Sequence, residues 1–557
     1  MSETKNQSNL DPILEKKKKV RAQYHENKRI TDENYDKVLA VKCKNGTFVG
    51  KKKENIIEYR GIPFVGRQPV GELRWKAPVD VVPDDGVYEA YYNAKSAYQT
   101  EELTEDASLY YQDEGCLYLN LWRADDTVSE KADAKAAHPA PASALAHPCA
   151  SKPVMVWIHG GAYERGGTVE PTHDCWNFVK ENPDVIVVTI AYRLNIFGFL
   201  HLSHLPDGKD YPDAQNLGLM DQMMALKWVH ENIAGFGGDP DNVTIFGESA
   251  GGGSVTLLPL VEGSHKYFRR VIAESGSPAL AGTTEQAIQC TNELMEELGC
   301  KTVADLQKMD VEKLVQASSD VLGMRICPER DGSYLPVDPY AAYANGAAKD
   351  IDLMQGCNKD EFNYFVYCMG VDTYEEWGKF LLERKLAQLT EEEKAGVLSF
   401  CNAVKGESFE YTSRLNDQIW FIVPLFKTAE CQIRGGGSTY VYHFTPESTD
   451  PIMRCGHAME LTVVFNHQEL TDFTDRAFDE TFSKTMRKMW VQFAKTGNPS
   501  LDADISPDGK EKEWPKYDLD SKEVMIFDEF NIHSEKESER KIVDWDRIYP
   551  LAKYYVL

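Results

Sequence analysis

The sequence predicts an α/β protein whose mostly parallel central sheet is covered by helices on both faces. Two patterns along the chain support this prediction. Short β-branched or apolar runs, typical of buried strands, alternate with longer segments whose apolar residues recur at helical spacing. Because parallel strands must be joined by crossover connections, such alternation favours a parallel sheet between two helical layers.

The predicted strands, in chain order, are residues 154–159, 185–193, 242–247, 270–276, 352–357 and 439–444. Each is a short run rich in apolar or β-branched residues. Residues 219–233, between the second and third strands, have apolar positions at 219, 223, 226 and 229–233, which is the spacing of one helix face. No internal repeat at a fixed period accompanies these segments.

The 557 residues are predicted to form one large domain behind a charged extension. Residues 1–40 form the extension, whose Lys-rich part at 15–29 indicates a solvated helix or arm. Residues 41–557 are assigned to a single domain with large inserted loops. Within it, residues 125–153 contain Ala, Pro and Ser in place of core-forming residues, which predicts an exposed loop.

Composition excludes several classes of protein. Hydrophobic residues make up 42% of the chain, which is enough for a large core and argues against disorder. A formal net charge of −27 would repel a phosphate backbone, so we expect no nucleic-acid partner. No apolar window approaches the length of about 18 residues that a membrane span needs, so a soluble protein without a membrane span is expected.

A serine stands at the centre of the sequence Gly-Glu-Ser-Ala-Gly, residues 247–251. The pattern follows a predicted strand and precedes small residues that let a helix pack closely. Glycines at both ends permit the tight strand-to-helix turn that exposes a serine hydroxyl above a sheet edge. The pentapeptide alone is a weak signal, but its position between strand and helix makes Ser249 a candidate nucleophile rather than an inert turn residue.

A serine nucleophile needs a general base, and in α/β hydrolases the order along the chain is Ser, acid, His. Of the histidines that follow Ser249, His457 is the best placed, in a loop-like segment after the strand at 439–444. His467 is the alternative. His443 lies within the strand itself, where a buried structural imidazole is the simpler interpretation.

The acid and the oxyanion donors also have candidates. Asp360 and Glu361 follow a short predicted strand, and either carboxylate could orient an imidazole. The glycine-rich segment 156–167 follows an early strand, so its backbone N–H groups could approach a substrate. It lacks the Lys-Ser/Thr ending of a phosphate-binding loop.

Taken together, these motifs resemble the type-B carboxylesterase family, α/β hydrolases that include cholinesterases and bacterial carboxylesterases. The matching segments are residues 59–64, 71–78, 113–122, 216–252, 274–278, 356–361, 456–461, 493–499 and 514–518. They are distributed over roughly residues 40 to 530, and the segment ending at Gly252 is highly specific.

The resemblance implies a catalytic triad of Ser249 as nucleophile, Glu361 as acid and His457 as base. It thereby selects Glu361 over the neighbouring aspartate. Ser275 resembles the family's second serine, which supports the acid and base by hydrogen bonding. Glu248, directly before the nucleophile, is counted as a second supporting residue.

The resemblance also implies an oxyanion hole formed by the backbone N–H groups of Gly161, Ala162 and Ala250. Ala162 stands where the family usually has glycine, a change that the N–H group tolerates. Phe362 replaces the glycine that usually follows the acid, so the local backbone geometry is the point to test.

Cysteine usage indicates a reducing compartment. The twelve cysteines lie in a long chain without a recognisable signal peptide, so reduced thiols are expected. Cys116 resembles one half of a family disulfide, but no cysteine lies between Cys43 and Cys116, so that bridge cannot form locally. These observations predict a cytoplasmic location.

We therefore expect a serine carboxylesterase that hydrolyses neutral, small-molecule carboxylic esters through an acyl-enzyme intermediate. No metal or organic cofactor is expected, since His201 and His204 lack a third ligand.

An amidase, thioesterase or lipase would use the same residues. A non-catalytic adhesion protein of this fold would lack the serine. The sequence predicts no oligomeric state.

Overall fold

The structure is a computed structural model that describes residues 22–100, 111–125, 151–386, 389–403, 408–471 and 474–536. Its strands are β1 (Arg29–Ile30), β2 (Ala40–Cys43), β3 (Asn45–Val49), β4 (Lys51–Lys53), β5 (Ile56–Pro63), β6 (Asp84–Glu89), β7 (Tyr118–Ala124), β8 (Lys152–Ile158), β9 (Ile186–Ile190), β10 (Gly238–Glu248), β11 (Arg270–Glu274), β12 (Asp352–Asn358), β13 (Thr439–Phe444), β14 (Val524–Asp528) and β15 (Asn531–Glu535).

The α-helices of the described residues are numbered in the same way. They are α1 (Trp176–Glu181), α2 (Asn195–Gly198), α3 (Leu217–Asn232), α4 (Ala250–Leu257), α5 (Thr284–Leu298), α6 (Val303–Gln307), α7 (Val311–Val321), α8 (Pro339–Ala344), α9 (Asn363–Met369), α10 (Val371–Leu386), α11 (Glu391–Ala403), α12 (Ser408–Asp417), α13 (Val423–Arg434), α14 (Leu461–Val464) and α15 (Glu480–Thr496). A π-helical turn, Gln418–Ile422, joins α12 to α13.

Within the described residues, the main sheet has 11 strands in the order β15-β14-β13-β12-β11-β10-β8-β9-β7-β5-β4. Its central part is parallel and consists of seven consecutive strands, β9, β8, β10, β11, β12, β13 and β14. The strands at both edges pair antiparallel. These pairs are β14–β15 at one edge and β9–β7, β7–β5 and β5–β4 at the other. The predicted mostly parallel sheet is therefore confirmed.

Both faces of this sheet are buried, as expected for a sheet that is covered by helices on both sides. Successive residues of β8 alternate between two apolar clusters: Val154 and Val156 belong to one, and Met155 and Trp157 to the other. Neighbouring side chains in a strand point to opposite faces, so each cluster lies on one face. Continuous apolar strands of this kind are typical of parallel sheets covered by helices.

The predicted strand positions hold, with shifts at some ends. Strand β13 has the predicted bounds, whereas β10 begins several residues before the predicted residue 242. Strand β8 begins at Lys152, so the last two residues of the predicted loop 125–153 belong to the sheet. Residues 126–150 of that loop lie outside the described residues.

The predicted N-terminal extension is only partly described, because residues 1–21 lie outside the described residues. Strand β1 pairs antiparallel with β6 in a separate four-stranded sheet. The Asn27 amide donates hydrogen bonds to the carbonyls of Arg60 (2.8 Å) and Tyr92 (3.0 Å). Residues 27–30 are therefore attached to the main body, and the boundary at residue 40 stays a prediction.

Among the described residues, no helix combines the length and the apolar character that crossing a bilayer requires.

The parallel order of the central strands gathers several loops at one sheet edge. Strand β8 leads into the glycine-rich segment, β10 into Ser249, β11 into Ser275 and β12 into Glu361. The loop after β13 carries His457. The carboxyl ends of parallel strands are the edge at which open α/β sheets bind ligands.

Candidate active site

Ser249 occupies a strained turn between β10 and α4. Its backbone has φ 56° and ψ −121°, which is a sparsely populated conformation for a residue with a side chain. The turn is held by hydrogen bonds from Ser249 N–H to the Glu274 carbonyl (2.9 Å) and from Gly253 N–H to the Ser249 carbonyl (2.8 Å). The serine is half-buried at the end of the strand.

The glycines of the pentapeptide are required by close approach of the backbone. A Cβ atom at Gly251 would lie 2.0 Å from a carbonyl oxygen of β8, and one at Gly247 would lie 2.6 Å from the same oxygen. Real Cβ atoms do not approach this closely, so only glycine lets α4 pack against the sheet here. This is the physical reason for the glycine pattern around the serine.

Glu361 is fully buried and held by two hydrogen-bond donors. Its Oε1 accepts from the backbone N–H of Asn358 (2.7 Å) and from the Ser275 hydroxyl (2.6 Å). Its Oε2 lies 2.6 Å from Nδ1 of His457. One oxygen is thus fixed by the fold, and the other faces the imidazole.

Asp360, the other acid candidate, has different neighbours. Its backbone N–H donates to the Cys455 carbonyl (3.0 Å), and burial raises the pKa of its carboxyl group, an effect that Lys359 opposes. Of the two adjacent acids, the structure therefore brings Glu361 to the imidazole of His457.

His457 is buried between two carboxylates. Its Nε2 lies 3.0 Å from Oε1 of Glu248, close enough for an ion pair but without the alignment of a hydrogen bond. Burial alone would lower the pKa of His457, but the charges of Glu248 and then Glu361 raise it well above the usual value. Burial raises the pKa of Glu248, and His457 opposes that shift. Both supporting residues of the sequence prediction, Glu248 and Ser275, therefore lie at the site.

We expect Glu248→Gln to move the acid limb of the kcat/KM profile to lower pH. A histidine accepts a proton from serine only in its neutral form, so activity rises with pH through the histidine pKa. Because the Glu248 carboxylate raises that pKa, an amide lowers it. The check is a pH profile of ester hydrolysis, with Glu430→Gln, a buried carboxylate on α13, as the control. An acid limb that stays at the same pH or moves to higher pH would contradict this effect of Glu248 on the histidine pKa.

Two further buried carboxylates, near His457 and Glu248, were not predicted from the sequence. Burial raises the pKa of Glu274 to about 8, and the indole N–H of Trp490 donates to it (3.1 Å). Burial and the charge of Glu248 raise the pKa of Glu460, which accepts a hydrogen bond from the Asn358 amide (2.5 Å). Both residues lie in motifs that resemble the family, at 274–278 and 456–461, and these motifs were the only sequence signal that could have indicated them.

The glycine-rich segment after β8 approaches the nucleophile closely. A Cβ at Gly160 would lie 3.1 Å from Cβ of Ser249 and 2.7 Å from the carbonyl oxygen of Glu248. Gly161 (φ 100°) and Ala162 (φ 55°) both have positive φ. At Ala162 this conformation costs roughly 1 kcal/mol that glycine would not incur.

The next turn fixes this segment, and Ala250 lies beside it at the start of α4. The Gly161 carbonyl accepts from the N–H groups of Glu164 (3.0 Å) and Arg165 (3.0 Å). Ala250 is the first residue of α4, where backbone N–H groups are not used within the helix. A helix N-terminus also favours negative charge.

A cavity with about 540 Å³ of empty space opens at Ser249. Ala162 and Ala250 belong to its lining. Most of the wall is aromatic, from Tyr163, Phe362, Phe365, Trp377, Trp420 and Phe421, and Leu280, Met324, Ile326 and Cys327 complete it.

The π-helical turn supplies two of these aromatic residues, Trp420 and Phe421. The Phe421 ring lies 4.7 Å from the His457 ring, and Phe365 lies 5.8 Å from it. π-Helical turns are rare and frequently found at functional sites. Trp420 and Phe421 were not among the predicted site residues, and the apolar run at 419–426 was the only signal for them.

The alternative histidines have other partners. Nε2 of His467 lies 2.7 Å from the carbonyl oxygen of Asp174, and its Nδ1 lies 2.9 Å from Glu469. His443 is buried in β13, 3.8 Å from the thiol of Cys357.

The two histidines considered as metal ligands also point to other groups. Nδ1 of His201 lies 2.7 Å from Glu329, and its Nε2 lies 3.0 Å from the Ser203 hydroxyl. His204 instead contacts the side chain of Asn292 (3.0 Å). Within the described ranges, no group of three or more His, Cys, Asp or Glu side chains is arranged to hold a metal ion.

Comparison with known proteins extends these observations. A family model described as "Carboxylesterase family" matches residues 37–543. Para-nitrobenzyl esterase from Bacillus subtilis (strain 168) is 32% identical over 520 residues, covering 89% of this chain and 96% of that protein. Acetylcholinesterase from Leptinotarsa decemlineata is 28% identical over 541 residues, covering 88% of this chain and 82% of that protein.

Solved structures show the same similarity. A carboxylesterase from Geobacillus stearothermophilus superposes with a TM-score of 0.75 at 30% sequence identity. The match covers 92% of this chain and 99% of that chain, and confirms the predicted α/β-hydrolase fold.

Proposed function

This chain belongs to the carboxylesterase family and hydrolyses carboxylic esters, and we propose that Ser249, Glu361 and His457 carry out this reaction as a catalytic triad. The assignment is supported most directly by the 2.6 Å distance between Nδ1 of His457 and Oε2 of Glu361. A carboxylate at Nδ1 leaves Nε2 as the nitrogen that exchanges protons with the serine.

In the proposed reaction, His457 accepts the proton of the Ser249 hydroxyl as the serine oxygen attacks the ester carbonyl carbon. The tetrahedral intermediate collapses when the imidazolium gives its proton to the leaving alcohol, and the acyl group stays on the serine. Water then attacks the acyl-enzyme by the same route and releases the acid. Glu361 orients the imidazole and stabilises its charged form.

The backbone N–H groups of Gly161, Ala162 and Ala250 form the oxyanion hole in this proposal. The negative charge that develops on the carbonyl oxygen is stabilised by donors whose positions are already fixed. Support comes from the approach of the glycine-rich segment to Ser249 and from the position of Ala250 at the start of α4.

The proposed substrates are neutral carboxylic esters of short to medium acyl length. The apolar, aromatic wall of the cavity at Ser249 supports an uncharged acyl group. A panel of aryl and alkyl esters of graded length, with a matched amide and thioester, tests this proposal. Faster turnover of the amide or the thioester would shift the assignment to those activities.

A cytoplasmic location is part of the proposal. It is supported by Cys116, which is buried and retains a thiol whose pKa is raised by burial. A cysteine that resembles half of a family disulfide and remains reduced fits a reducing compartment.

We expect no preference for choline esters over matched neutral esters. Residues 98–116, which resemble the choline-binding segment of cholinesterases, contain no tryptophan, the best ring for a quaternary ammonium. Tyr111 stacks on Tyr24 at 4.5 Å, and Tyr110, the other candidate ring, lies outside the described residues. A cation-π cage would contribute about 2 kcal/mol, roughly a thirtyfold preference.

The measurement compares kcat/KM for butyrylcholine and its uncharged isostere, 3,3-dimethylbutyl butyrate, under identical conditions. Trp377 and Trp420 line the cavity at Ser249, but both rings pack against Phe362. A tenfold or greater preference for the charged ester would show that another aromatic site binds the cation, contrary to this prediction.

A further inference from the structure

Phe362 takes the place of the family's glycine without backbone strain. Its φ of −72° and ψ of −10° are helical values that any residue adopts. The Phe362 N–H donates to the side chain of Asp417 (2.6 Å), and its carbonyl accepts from the N–H groups of Phe365 (3.0 Å) and Val366 (3.2 Å). The start of α9 and the end of α12 therefore fix the direction of this side chain.

The Phe362 ring is packed on several sides by other rings. Its centroid lies 5.0 Å from that of Phe365, 5.7 Å from Phe421 and 6.1 Å from Trp377. Only 3% of the residue is exposed. Ring separations of this size are those of well-packed aromatic clusters, so the ring cannot swing aside without disturbing its neighbours.

The same ring forms part of the wall of the cavity that opens at Ser249. The described lining of this cavity includes Ala162 and Ala250 of the proposed oxyanion hole, but not His457. A leaving alcohol must depart toward the base that protonates it. The acyl group, held with its carbonyl oxygen in the oxyanion hole, therefore extends into this cavity.

We propose that Phe362 closes the acyl-binding cavity and limits the length of acyl chain that the enzyme accepts. The inference rests on the proposed function, because it assumes that Ser249 carries the acyl group. A glycine at this position has no side chain to fill this part of the wall. A methyl group in place of the ring would open the same space here.

The test is the acyl-length profile of Phe362→Ala, measured as kcat/KM for 4-nitrophenyl acetate, butyrate, hexanoate, octanoate and decanoate. Each methylene transferred from water into an apolar cavity contributes about a fourfold gain. Octanoate carries four more methylenes than butyrate, and we expect the octanoate-to-butyrate ratio to rise at least about tenfold over the wild-type ratio.

Three controls separate this effect from general loosening of the structure. Phe426→Ala removes a ring from the same apolar cluster, but Phe426 does not line the cavity, so the ratio should not change. Butyrate esters of methanol to octanol vary only the alcohol, and their profile should be the same in Phe362→Ala and wild type. Phe362→Leu is a milder change that serves if Phe362→Ala does not fold, and it should give an intermediate shift in the octanoate-to-butyrate ratio.

An unchanged acyl profile in folded Phe362→Ala and Phe362→Leu would overturn the inference, as would an equal shift in Phe426→Ala. A shift in the alcohol series instead of the acyl series would overturn it as well. Failure of the proposed function looks different, because wild-type protein would then hydrolyse none of these esters, or Ser249→Ala would hydrolyse them all.

Discussion

Ser249→Ala and His457→Ala are each expected to lower kcat for ester hydrolysis by about 10⁴- to 10⁶-fold. The nucleophile and the base act as one unit, so loss of either removes most of the chemistry that depends on both. What remains comes from substrate binding and oxyanion stabilisation. The double variant should be little worse than either single variant. Burst and steady-state kinetics with a 4-nitrophenyl ester measure these effects.

The fold should survive both substitutions. Ser249 is half-buried and its side chain contributes little to the core, so in Ser249→Ala the circular dichroism and the unfolding midpoint should stay close to wild type. His457→Ala leaves two buried carboxylates without their partner, so its circular dichroism should be retained while its unfolding midpoint falls. Ser264→Ala and His265→Ala, which lie outside the cavity at Ser249, serve as matched controls with wild-type rates. Full activity in purified Ser249→Ala would disprove the nucleophile assignment.

Glu361→Gln is expected to lower kcat by about 10³- to 10⁴-fold in a folded protein. The glutamine amide is nearly the same size as the carboxylate but no longer stabilises the charged imidazole, and its NH₂ group favours the wrong tautomer. The site makes this worse, because Asn358 and Ser275 both donate to Oε1. With the amide oxygen on these donors, the NH₂ group faces Nδ1 of His457.

The matched comparison is Asp360→Asn, which changes the adjacent acid in the same way. The carboxylate at Nδ1 of His457 belongs to Glu361 and not to Asp360, so we expect less than a tenfold loss of kcat in Asp360→Asn. Parallel measurement of kcat and of the unfolding midpoint for the two variants decides the assignment. If Asp360→Asn were the more damaging of the two, the acid would be misassigned by one residue.

Much of the fold could be predicted because it depends on local patterns. Strand β13 has the predicted bounds, and the glycines around Ser249 indicated a strand-to-helix turn without knowledge of the rest of the chain. The predicted start of β8 was two residues too late, because Lys152 and Pro153 follow a segment whose composition indicates a loop. Composition reports average exposure and does not determine where a strand begins.

The remainder of the site depends on contacts between residues distant in sequence. The proximity of Glu248 to His457 arises from the order of β10 and β13 in the sheet, which hydrophobic periodicity does not reveal. Trp420 and Phe421 reach the cavity through a π-helical turn, and their apolar run is equally typical of an ordinary buried helix. The family resemblance selected Glu361 because it compares whole motifs rather than local patterns.

The gathering of the site at the carboxyl ends of β8, β10, β11, β12 and β13 has a consequence for folding kinetics. No two neighbouring segments of the chain can form the site alone, because each strand contributes one part and the parts lie far apart in sequence. Such long-range pairings carry a high contact order and form slowly, after local helices are in place. During refolding, recovery of esterase activity should therefore lag behind recovery of helical circular dichroism and coincide with the docking of β13. Activity then serves as a probe of the completed sheet.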